Sequence, residues 1–400
     1  MPKLHKLLGV CLAASLALAA CGSDSKAATT TTKAGGATTT AAGATTAAGA
    51  AVTDVSLKGV CPDTVIVQTD WFPESEHGAT YQLMGTGYKA SKDTGSVVGP
   101  LTFQGKDTGV KLEIRGGGPL VGNQTVVSQM YKDDKILFGF VSTDEAIKFF
   151  KDQPTVAVVA PQDKSPQIIL WDKAKHPGAK TIADISKEVK EVLVFQGATY
   201  IDYLVAAGIV PKDKVNTNYK GDKLLVKDGA NAAHQGFATA EPFQYSKLDT
   251  GAIQVGYQLV FDTGWELYPE ALSVRADKLK DDKTKSCLKK LVPMFQQAQV
   301  DYLKSHAAAD KVIIDTNKVY DSFWKYEQSD ADESVKQQLA LKIADNGTNK
   351  TLGDFDMARV EGFIKKALPV FKSAATPVKE DLKASDIVTN DYIDTKIGLG

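Results

Sequence analysis

The chain has 400 residues, with 47 Lys and Arg against 48 Asp and Glu, so its formal net charge is −1. Because the two signs are interspersed, the sequence lacks the basic footprint of a nucleic-acid-binding protein. Apolar residues make up 43% of the chain, enough for a folded core. The roughly 340 residues after the N-terminal region exceed one compact core, so two lobes are expected.

The N-terminus has the pattern of a secretory signal over residues 1–20. A basic start precedes an apolar run, 7–20, which is too short for a membrane-spanning helix of about 20 residues. The run ends in Leu18-Ala-Ala-Cys21, which resembles the bacterial lipobox, whose cysteine carries the lipid. We therefore expect an exported lipoprotein anchored to the outer face of the cytoplasmic membrane through Cys21. The alternative is an ordinary signal peptide with a chance cysteine.

Residues 21–60 consist mainly of Ala, Thr, Gly and Ser. Such a composition cannot bury a core, so this segment is predicted to be a flexible tether between the lipid and the folded region. A Thr-rich stalk that carries sugars is compatible with the same composition.

Four cysteines are present, and two of them belong to the N-terminal region. Cys11 would leave with the signal, and Cys21 would take the lipid. Cys61 and Cys287 remain in an exported chain, so a disulfide between them is predicted. The alternative is two unpaired thiols.

A strand, an aromatic loop and a helix are predicted in succession from Val65 to Tyr81. The β-branched run 65–67 predicts a buried strand, and Pro73 ends it. In an open α/β sheet the loop after such a strand lies where ligands bind. The candidate ligand-binding residues here are Trp71, Phe72, Glu74, His77 and Tyr81. The alternatives are that the aromatic residues belong to the core and that His77 has no role.

Strand and helix patterns then alternate, first over 110–160 and again from 165. The helix that begins near Asn123 is predicted to have that residue as its N-terminal cap. Alternation of this kind predicts parallel βαβ units. Residues 61–164 are predicted to form the first part of lobe 1, 165–261 lobe 2, and 262–400 the return to lobe 1 with the C-terminal helices.

Two glycine-containing loops precede helices, one in each predicted lobe. Gly117 and Gly118 lie in the first, and Gly197 to Tyr200 in the second. Amides at a helix start attract anions, so both loops are candidates for an acidic ligand group; the alternative is that the glycines only permit tight turns. The remaining candidate binding residues are Ser142, Gln196, Thr199, Glu241 and Trp265. Trp265 is equally compatible with packing at a hinge.

Several of these residues resemble one family. Trp71, Pro73, His77 and Tyr81 are similar to the opening of solute-binding proteins that serve ABC importers of nitrate, sulfonates and thiamine-pyrimidine precursors, although Glu74 stands where that group often has Asn. The segments 197–199, Gly-Ala-Thr, and 241–243, Glu-Pro-Phe, are similar to later motifs of the same superfamily.

The resemblance implies a two-lobed α/β fold of the type II periplasmic-binding-protein kind. Each lobe would be a mainly parallel sheet flanked by helices, with a cleft between lobes for a small, planar or anionic solute. The implied partners are a membrane permease and its ATPase, and the protein would act as a monomer without a cofactor. The alternatives are an enzyme on this fold related to pyrimidine-precursor synthesis and an exported sensor.

No catalytic motif supports an enzyme. The sequence has no G-x-S-x-G, H-E-x-x-H or Walker pattern. The histidines after the signal are scattered singly, without the spacing of metal ligands, so no metal site is expected. The histidines in question are His77, His176, His234 and His306.

Substitution of the lipobox cysteine tests the predicted anchor. Cys21→Ala removes the only sulfur to which the lipid could attach, so the protein should be released from the membrane or persist as the longer precursor. Detergent partitioning and the mass of the intact mature protein measure this. A variant that partitions like the wild type, with the same mature mass, would show that Cys21 carries no lipid.

Overall fold

Two β-sheets organise the chain in the computed structural model, which describes residues 55–221, 225, 231–249 and 251–400. The predicted signal peptide, Cys21 and the predicted tether up to residue 54 lie outside these residues. Within the described part of the chain, no helix has both the length and the apolar content that crossing a bilayer requires.

Within the described ranges, twelve strands form the two sheets. They are β1 (Thr64–Gln68), β2 (Lys89–Ser91), β3 (Ser96–Phe103), β4 (Lys106–Arg115), β5 (Ile136–Val141), β6 (Thr155–Val159), β7 (Gln167–Asp172), β8 (Glu191–Leu193), β9 (Val215–Asn216), β10 (Ala232–Phe237), β11 (Val255–Leu259) and β12 (Ala271–Arg275). The first sheet has the order β2-β3-β4-β1-β5-β12-β6, and the second has the order β11-β7-β10-β8-β9.

Most strands of each sheet run in one direction, as predicted, and neighbouring strands form both parallel and antiparallel pairs. In the first sheet, five of the seven strands run one way and only β3 and β12 oppose them. In the second sheet, only β7 of the five strands runs against the others. Strand β12 lies between β5 and β6, so the chain returns to the first sheet after it has built the second.

Helices cover the two sheets. They are α1 (Gly78–Gln82), α2 (Val126–Lys132), α3 (Thr143–Phe149), α4 (Ile182–Glu188), α5 (Thr199–Ala206), α6 (Glu241–Ser246), α7 (Asp282–Lys304), α8 (Ala307–Tyr320), α9 (Gln328–Ala340), α10 (Met357–Ser373) and α11 (Ala384–Ile387). Below, lobe 1 denotes the first sheet with α1–α3 and α7–α11, and lobe 2 denotes the second sheet with α4–α6.

The central strand β5 shows why these residues form a covered sheet. All six of its residues are buried, as expected for a strand with both faces packed. A Cβ atom at Gly139 would lie 2.4 Å from the Met130 sulfur, so glycine lets α2 pack directly on the strand. Thr125 caps α2, because its Oγ1 accepts from the Ser128 N–H at 3.2 Å. The predicted cap, Asn123, instead adopts a left-handed turn conformation with φ +56°.

The predicted disulfide between Cys61 and Cys287 is present. It joins the segment just before β1 to the long helix α7. Leu288 and Phe295 of α7 share an apolar core with Val65 and Val67 of β1. The covalent bond therefore crosses a contact that already holds the first strand to a late helix.

Two chain crossings, 160–166 and 260–270, connect the lobes. Arg359 of α10 binds both of them: it donates to Asp163 Oδ1 at 2.8 Å in the first and to the Leu267 carbonyl at 2.9 Å in the second. Its guanidinium also lies 4.0 Å from the centre of the Tyr268 ring. A single C-terminal side chain thus holds the two crossings together.

Removal of the disulfide should destabilise the fold without changing it. The bond closes a loop with a sequence separation of 226 residues, and loops of this size constrain the unfolded chain strongly. We expect the double variant Cys61→Ala/Cys287→Ala to lose about 2–5 kcal/mol of unfolding free energy. Urea denaturation measures the loss, and reduced wild-type protein should match the variant. An unchanged midpoint would contradict a stabilising role.

Candidate functional site

The loop after β1 is held in place by the glycine turn after β4. The N–H of Gly117 donates to the Trp71 carbonyl at 2.8 Å, and a Cβ atom at Gly117 would lie 2.3 Å from the Thr69 carbonyl oxygen. At Gly118, where φ is +55°, a Cβ atom would lie 2.5 Å from the Trp71 ring. Both glycines therefore permit a close approach of Trp71. Since the Gly117 N–H is engaged by Trp71, it is not open to an anion.

Trp71 leads a cluster of aromatic side chains that spans the two lobes. Its ring centre lies 5.2 Å from that of Phe195, which follows β8 in lobe 2. From lobe 1 it meets Phe72 at 5.6 Å, Phe323 at 6.4 Å and Trp324 at 6.0 Å. Phe72 is 1% exposed, whereas Phe323 is 52% exposed. We call these five residues the aromatic cluster; it forms the direct contact between Trp71 and lobe 2.

Beside the aromatic cluster lies a group of acidic residues, which we call the acid cluster: Asp70, Glu74, Glu76 and Glu270. The three glutamates are 2%, 2% and 4% exposed. The side chain of Asp70 is 36% exposed and its Oδ1 lies 2.8 Å from Nε2 of the fully buried His77. Four carboxyl groups thus meet near the junction of the lobes.

Burial, more than any other effect, raises the pKa of Glu74 well above its usual value, and the negative charges of Glu76, Glu270, Asp70 and Glu241 add to the shift. Burial likewise raises the pKa of Glu270, with Asp70 and Glu76 as further causes. Among the described residues, no Lys or Arg forms an ion pair with Glu74, Glu76 or Glu270. A positively charged ligand would therefore gain from this environment.

Of the acid cluster, sequence analysis named only Glu74; among the three members that it missed, Glu270 lies farthest along the chain. It ends the second crossing, and its backbone has φ +45°, a strained conformation for a residue other than glycine. Its Oε1 atom is buried without a hydrogen-bond partner among the described residues. Its Oε2 atom accepts from Gln162 of the first crossing at 3.4 Å. Nothing in the local sequence around Pro269-Glu270 signals this environment.

Three predicted ligand-binding residues converge instead on Asp144, at the start of α3 in lobe 1. Ser142 and Thr199 both donate from their hydroxyl groups to its carboxylate. The Trp265 Nε1–H donates to Oδ2 of Asp144 at 3.1 Å, and the Trp265 side chain is fully buried. Thr199 begins α5 in lobe 2, and Trp265 lies in the second crossing. In this structure they hold the lobes to each other, in agreement with the alternative of hinge packing for Trp265.

The predicted loop of lobe 2 is partly open. Gln196 and Gly197 are exposed, and nothing lies within 4 Å of where a Gly197 Cβ atom would be. Tyr200 is buried and donates to Gln235 Oε1 at 2.8 Å, and the Phe195 N–H donates to the same oxygen at 2.7 Å. Gln235 therefore positions the lobe 2 side of the aromatic cluster.

Two further candidate ligand-binding residues, Tyr81 and Glu241, lie outside the aromatic cluster. Tyr81 is 1% exposed and packs in the core of lobe 1. Glu241 begins α6 in lobe 2, where its Oε2 accepts from the Phe237 N–H at 2.6 Å. After Glu241 the chain adds β11 to the second sheet and crosses to lobe 1 afterwards, at 260–270. Glu241 still faces the acid cluster, since its charge contributes to the raised pKa of Glu74.

Two cavities, of about 180 and 340 Å³, lie beside the site and not within it. The smaller is lined by Asp163, Tyr268 and Arg359 at the crossings. The larger is lined by Gln68 and Arg115 near the ends of β1 and β4. Neither includes a member of the aromatic or acid cluster, in keeping with the packing of Trp71 against lobe 2.

Comparison with known proteins gives structural similarity alone. No family model matches the sequence, and no curated protein matches it. A solved structure from Bordetella bronchiseptica RB50 aligns over 83% of this chain and 96% of its own, with 13% identity and a TM-score of 0.50. A Candida albicans protein described as having the generic periplasmic-binding-protein fold aligns over 84% and 98%, with 15% identity and a TM-score of 0.49.

A third similar structure is the ligand-binding component of an ABC-type import system from Staphylococcus aureus, solved with zinc bound. It aligns over 82% of this chain and 97% of its own, with 10% identity and a TM-score of 0.48. Similarities at these identities concern the fold. Two sheets flanked by helices agree with the predicted two-lobed α/β architecture.

A partly buried carboxyl group beside Asp144 allows a test of the electrostatics. Burial, with the negative charges of Asp144 and Asp70, raises the pKa of Glu145 from 4.5 to about 8. Between those two pH values the folded chain holds a proton that the unfolded chain releases, so the stability falls as the pH rises. Glu145→Gln should reduce the loss of unfolding free energy between pH 5 and pH 8 by about 2–4 kcal/mol.

Denaturation in urea at the two pH values measures this effect. Glu266→Gln, at an exposed position of the second crossing, is the matched control and should leave the loss unchanged. An equal loss in wild type and Glu145→Gln would mean that Glu145 ionises in the folded protein as freely as in the unfolded chain.

Proposed function

We propose that this protein is an extracytoplasmic solute-binding protein of an ABC import system. It captures a small organic solute between its lobes by hinge closure and delivers the solute to a membrane permease with an associated ATPase. A lipid on Cys21 would keep it at the outer face of the membrane, and it would act as a monomer. Two lobes joined by two crossings are the architecture that such closure requires.

The observation that carries the proposal is the contact of Trp71 with Phe195 between the lobes, at 5.2 Å. A planar group held between these rings would touch both lobes and so stabilise the closed form. Trp71 lies at the end of β1, and Phe195 follows β8, so each ring is fixed to one sheet. Phe323, which is half exposed, covers the outer side.

The charge of the site favours a cationic solute over the anionic alternative. The acid cluster places four carboxyl groups beside Trp71, and burial makes an unneutralised carboxylate costly there. A cation over the face of a tryptophan is further stabilised by the ring. The Gly117 amide, which an anion would need, is bound to the Trp71 carbonyl. We therefore propose a solute with a planar or apolar body and a positive charge.

Replacement of Trp71 tests the proposed binding site. Trp71→Ala removes one side of the aromatic contact, and loss of a desolvated cation–ring interaction of about 2 kcal/mol lowers affinity roughly 30-fold. Native mass spectrometry of protein from its own host identifies the bound solute, and calorimetry with that solute measures the affinity. A thermal-shift panel of amines, guanidines and quaternary ammonium ions against nitrate and sulfonates tests the charge.

Tyr257→Ala is the control, because Tyr257 is a partly buried aromatic residue on the edge strand β11, outside the aromatic cluster. It should bind the solute like the wild type. Unchanged affinity in Trp71→Ala would exclude Trp71 from the site. A shift produced by the anions alone would contradict the proposed charge of the solute.

A further inference from the structure

Three side chains from distant parts of the chain converge beside Trp71 with the chemistry of metal ligands. Asp70 and His77 flank the aromatic loop, and Glu270 ends the second crossing. One potential ligand atom from each lies within 4.8 Å of the other two. Atoms bound to one ion at about 2.0–2.4 Å lie up to twice that far apart, so the three can share an ion with small side-chain adjustments.

The distance and the exposure within this group are compatible with a coordination sphere. His77 Nε2 and Asp70 Oδ1 are 2.8 Å apart, close to the separation of adjacent ligands around a first-row metal ion. Asp70 is partly exposed, with 36% of its side chain accessible, which leaves a route for an ion from solvent. The other two residues are buried and fixed by the fold.

A second, independent observation points to a missing ligand. Glu270 is 96% buried, yet its Oε1 atom has no hydrogen-bond partner among the described residues. The neighbouring Gln162 Oε1 is also without a partner, and so is His77 Nδ1. Buried polar atoms are normally satisfied, so the Glu270 oxygen without a partner, on a residue whose ligand atom lies within 4.8 Å of those of Asp70 and His77, calls for an explanation. The strained backbone of Glu270, with φ +45°, shows that the fold holds this carboxylate in place despite a cost.

We propose that Asp70, His77 and Glu270 bind one divalent first-row transition-metal ion. Two carboxylates and a neutral imidazole balance the two positive charges of the ion. The imidazole nitrogen favours Zn²⁺, Mn²⁺ or a similar ion over Mg²⁺, which prefers oxygen ligands. Three protein ligands leave at least one coordination position for water or for a donor atom of the solute.

A second acidic group in the structure provides the contrast. His306, Asp310 and Asp332 also lie within 4.8 Å of one another by their ligand atoms. There, however, Asp310 accepts hydrogen bonds from Tyr302 at 3.0 Å and from Gln328 at 2.6 Å, so its oxygens are satisfied by the protein. Asp332 is exposed. This group needs no ion and serves as the internal control.

The metal alone is the probe for the test. The purified full-length chain is treated with EDTA, dialysed, and titrated with Zn²⁺, Mn²⁺ and Mg²⁺ by calorimetry, with the metal content checked by elemental mass spectrometry. We expect one Zn²⁺ or Mn²⁺ ion per chain and markedly weaker binding of Mg²⁺. Co²⁺ should give the absorption bands of an ion bound through nitrogen and oxygen.

Glu270→Gln and Asp70→Asn keep the shape of the ligands and remove their charge. Each should lower the affinity for Zn²⁺ by at least about 100-fold, because a lost ligand exceeds the effect of a lost outer-shell partner. The metal-free Glu270→Gln variant should melt no lower than the wild type, since it replaces a buried carboxyl group that has no ion-pair partner among the described residues. Asp332→Asn should bind the metal as the wild type does.

Absence of stoichiometric binding, or affinity unchanged in both Glu270→Gln and Asp70→Asn, would overturn the metal site. Loss of binding in Asp332→Asn alone would move the ion to the other group and equally refute the proposal. The solute proposal fails separately: Trp71→Ala should reduce solute binding while the chain still takes up Zn²⁺. A chain that binds metal but no solute would leave the metal site intact.

Discussion

The hydrogen bond between the Gly117 N–H and the Trp71 carbonyl is the contact on which the candidate site depends. It ties the end of β1 to the turn after β4, and glycine is required because a side chain would overlap the Thr69 carbonyl oxygen. Once this loop is held, the Trp71 ring points at Phe195 of lobe 2, and Asp70 stands beside His77. Both the proposed solute site and the proposed metal site thus depend on one close backbone approach.

Sequence patterns were sufficient for the features that are local. The β-branched run 65–67 identified the buried strand β1, and the alternation of strands and helices indicated two α/β lobes. The disulfide could be predicted because Cys11 and Cys21 belong to the predicted signal and lipobox, so only Cys61 and Cys287 remained to pair. The position of Trp71 could be predicted because a strand that ends at a proline must turn at the edge of its sheet.

Local sequence patterns could not predict the features that depend on contacts between distant parts of the chain. Glu270 and Phe323 join the site from late parts of the chain, and neither lies in a motif. The proposed metal ligands are a related case: His77 precedes α1 and Glu270 ends the second crossing, so no short sequence spacing links them.

Polar residues at helix starts illustrate the same difficulty. The hydroxyl groups of Ser142 and Thr199 have the right chemistry for a ligand, but in this structure they bind Asp144 and connect the lobes. A sequence indicates which residues stand at the start of a helix. It does not indicate whether the polar side chain of such a residue contacts a ligand or the other lobe.

Burial of the acid cluster lowers the free energy of unfolding, and contacts around the cluster offset this loss. Buried carboxyl groups without ion pairs oppose folding, and residues that oppose folding commonly serve binding. The dense packing of α7 against β1, the disulfide and the contacts of Arg359 with both crossings supply stability nearby. With a cation bound beside them, the same carboxyl groups would stabilise the folded chain and no longer destabilise it.

The disulfide also has a mechanical consequence for an anchored protein. In a chain anchored as proposed, a pull along the tether would reach the fold first at Leu57, which is buried and whose N–H donates to the Thr108 carbonyl at 2.9 Å, and then at Cys61. Without the covalent bond, the pull would load β1, whose neighbours β4 and β5 hold it only by hydrogen bonds and packing. With the bond, the load passes at Cys61 into α7, a helix of 23 residues buried along much of its length. The strand that precedes Trp71 would thereby be relieved of tension during the proposed hinge closure.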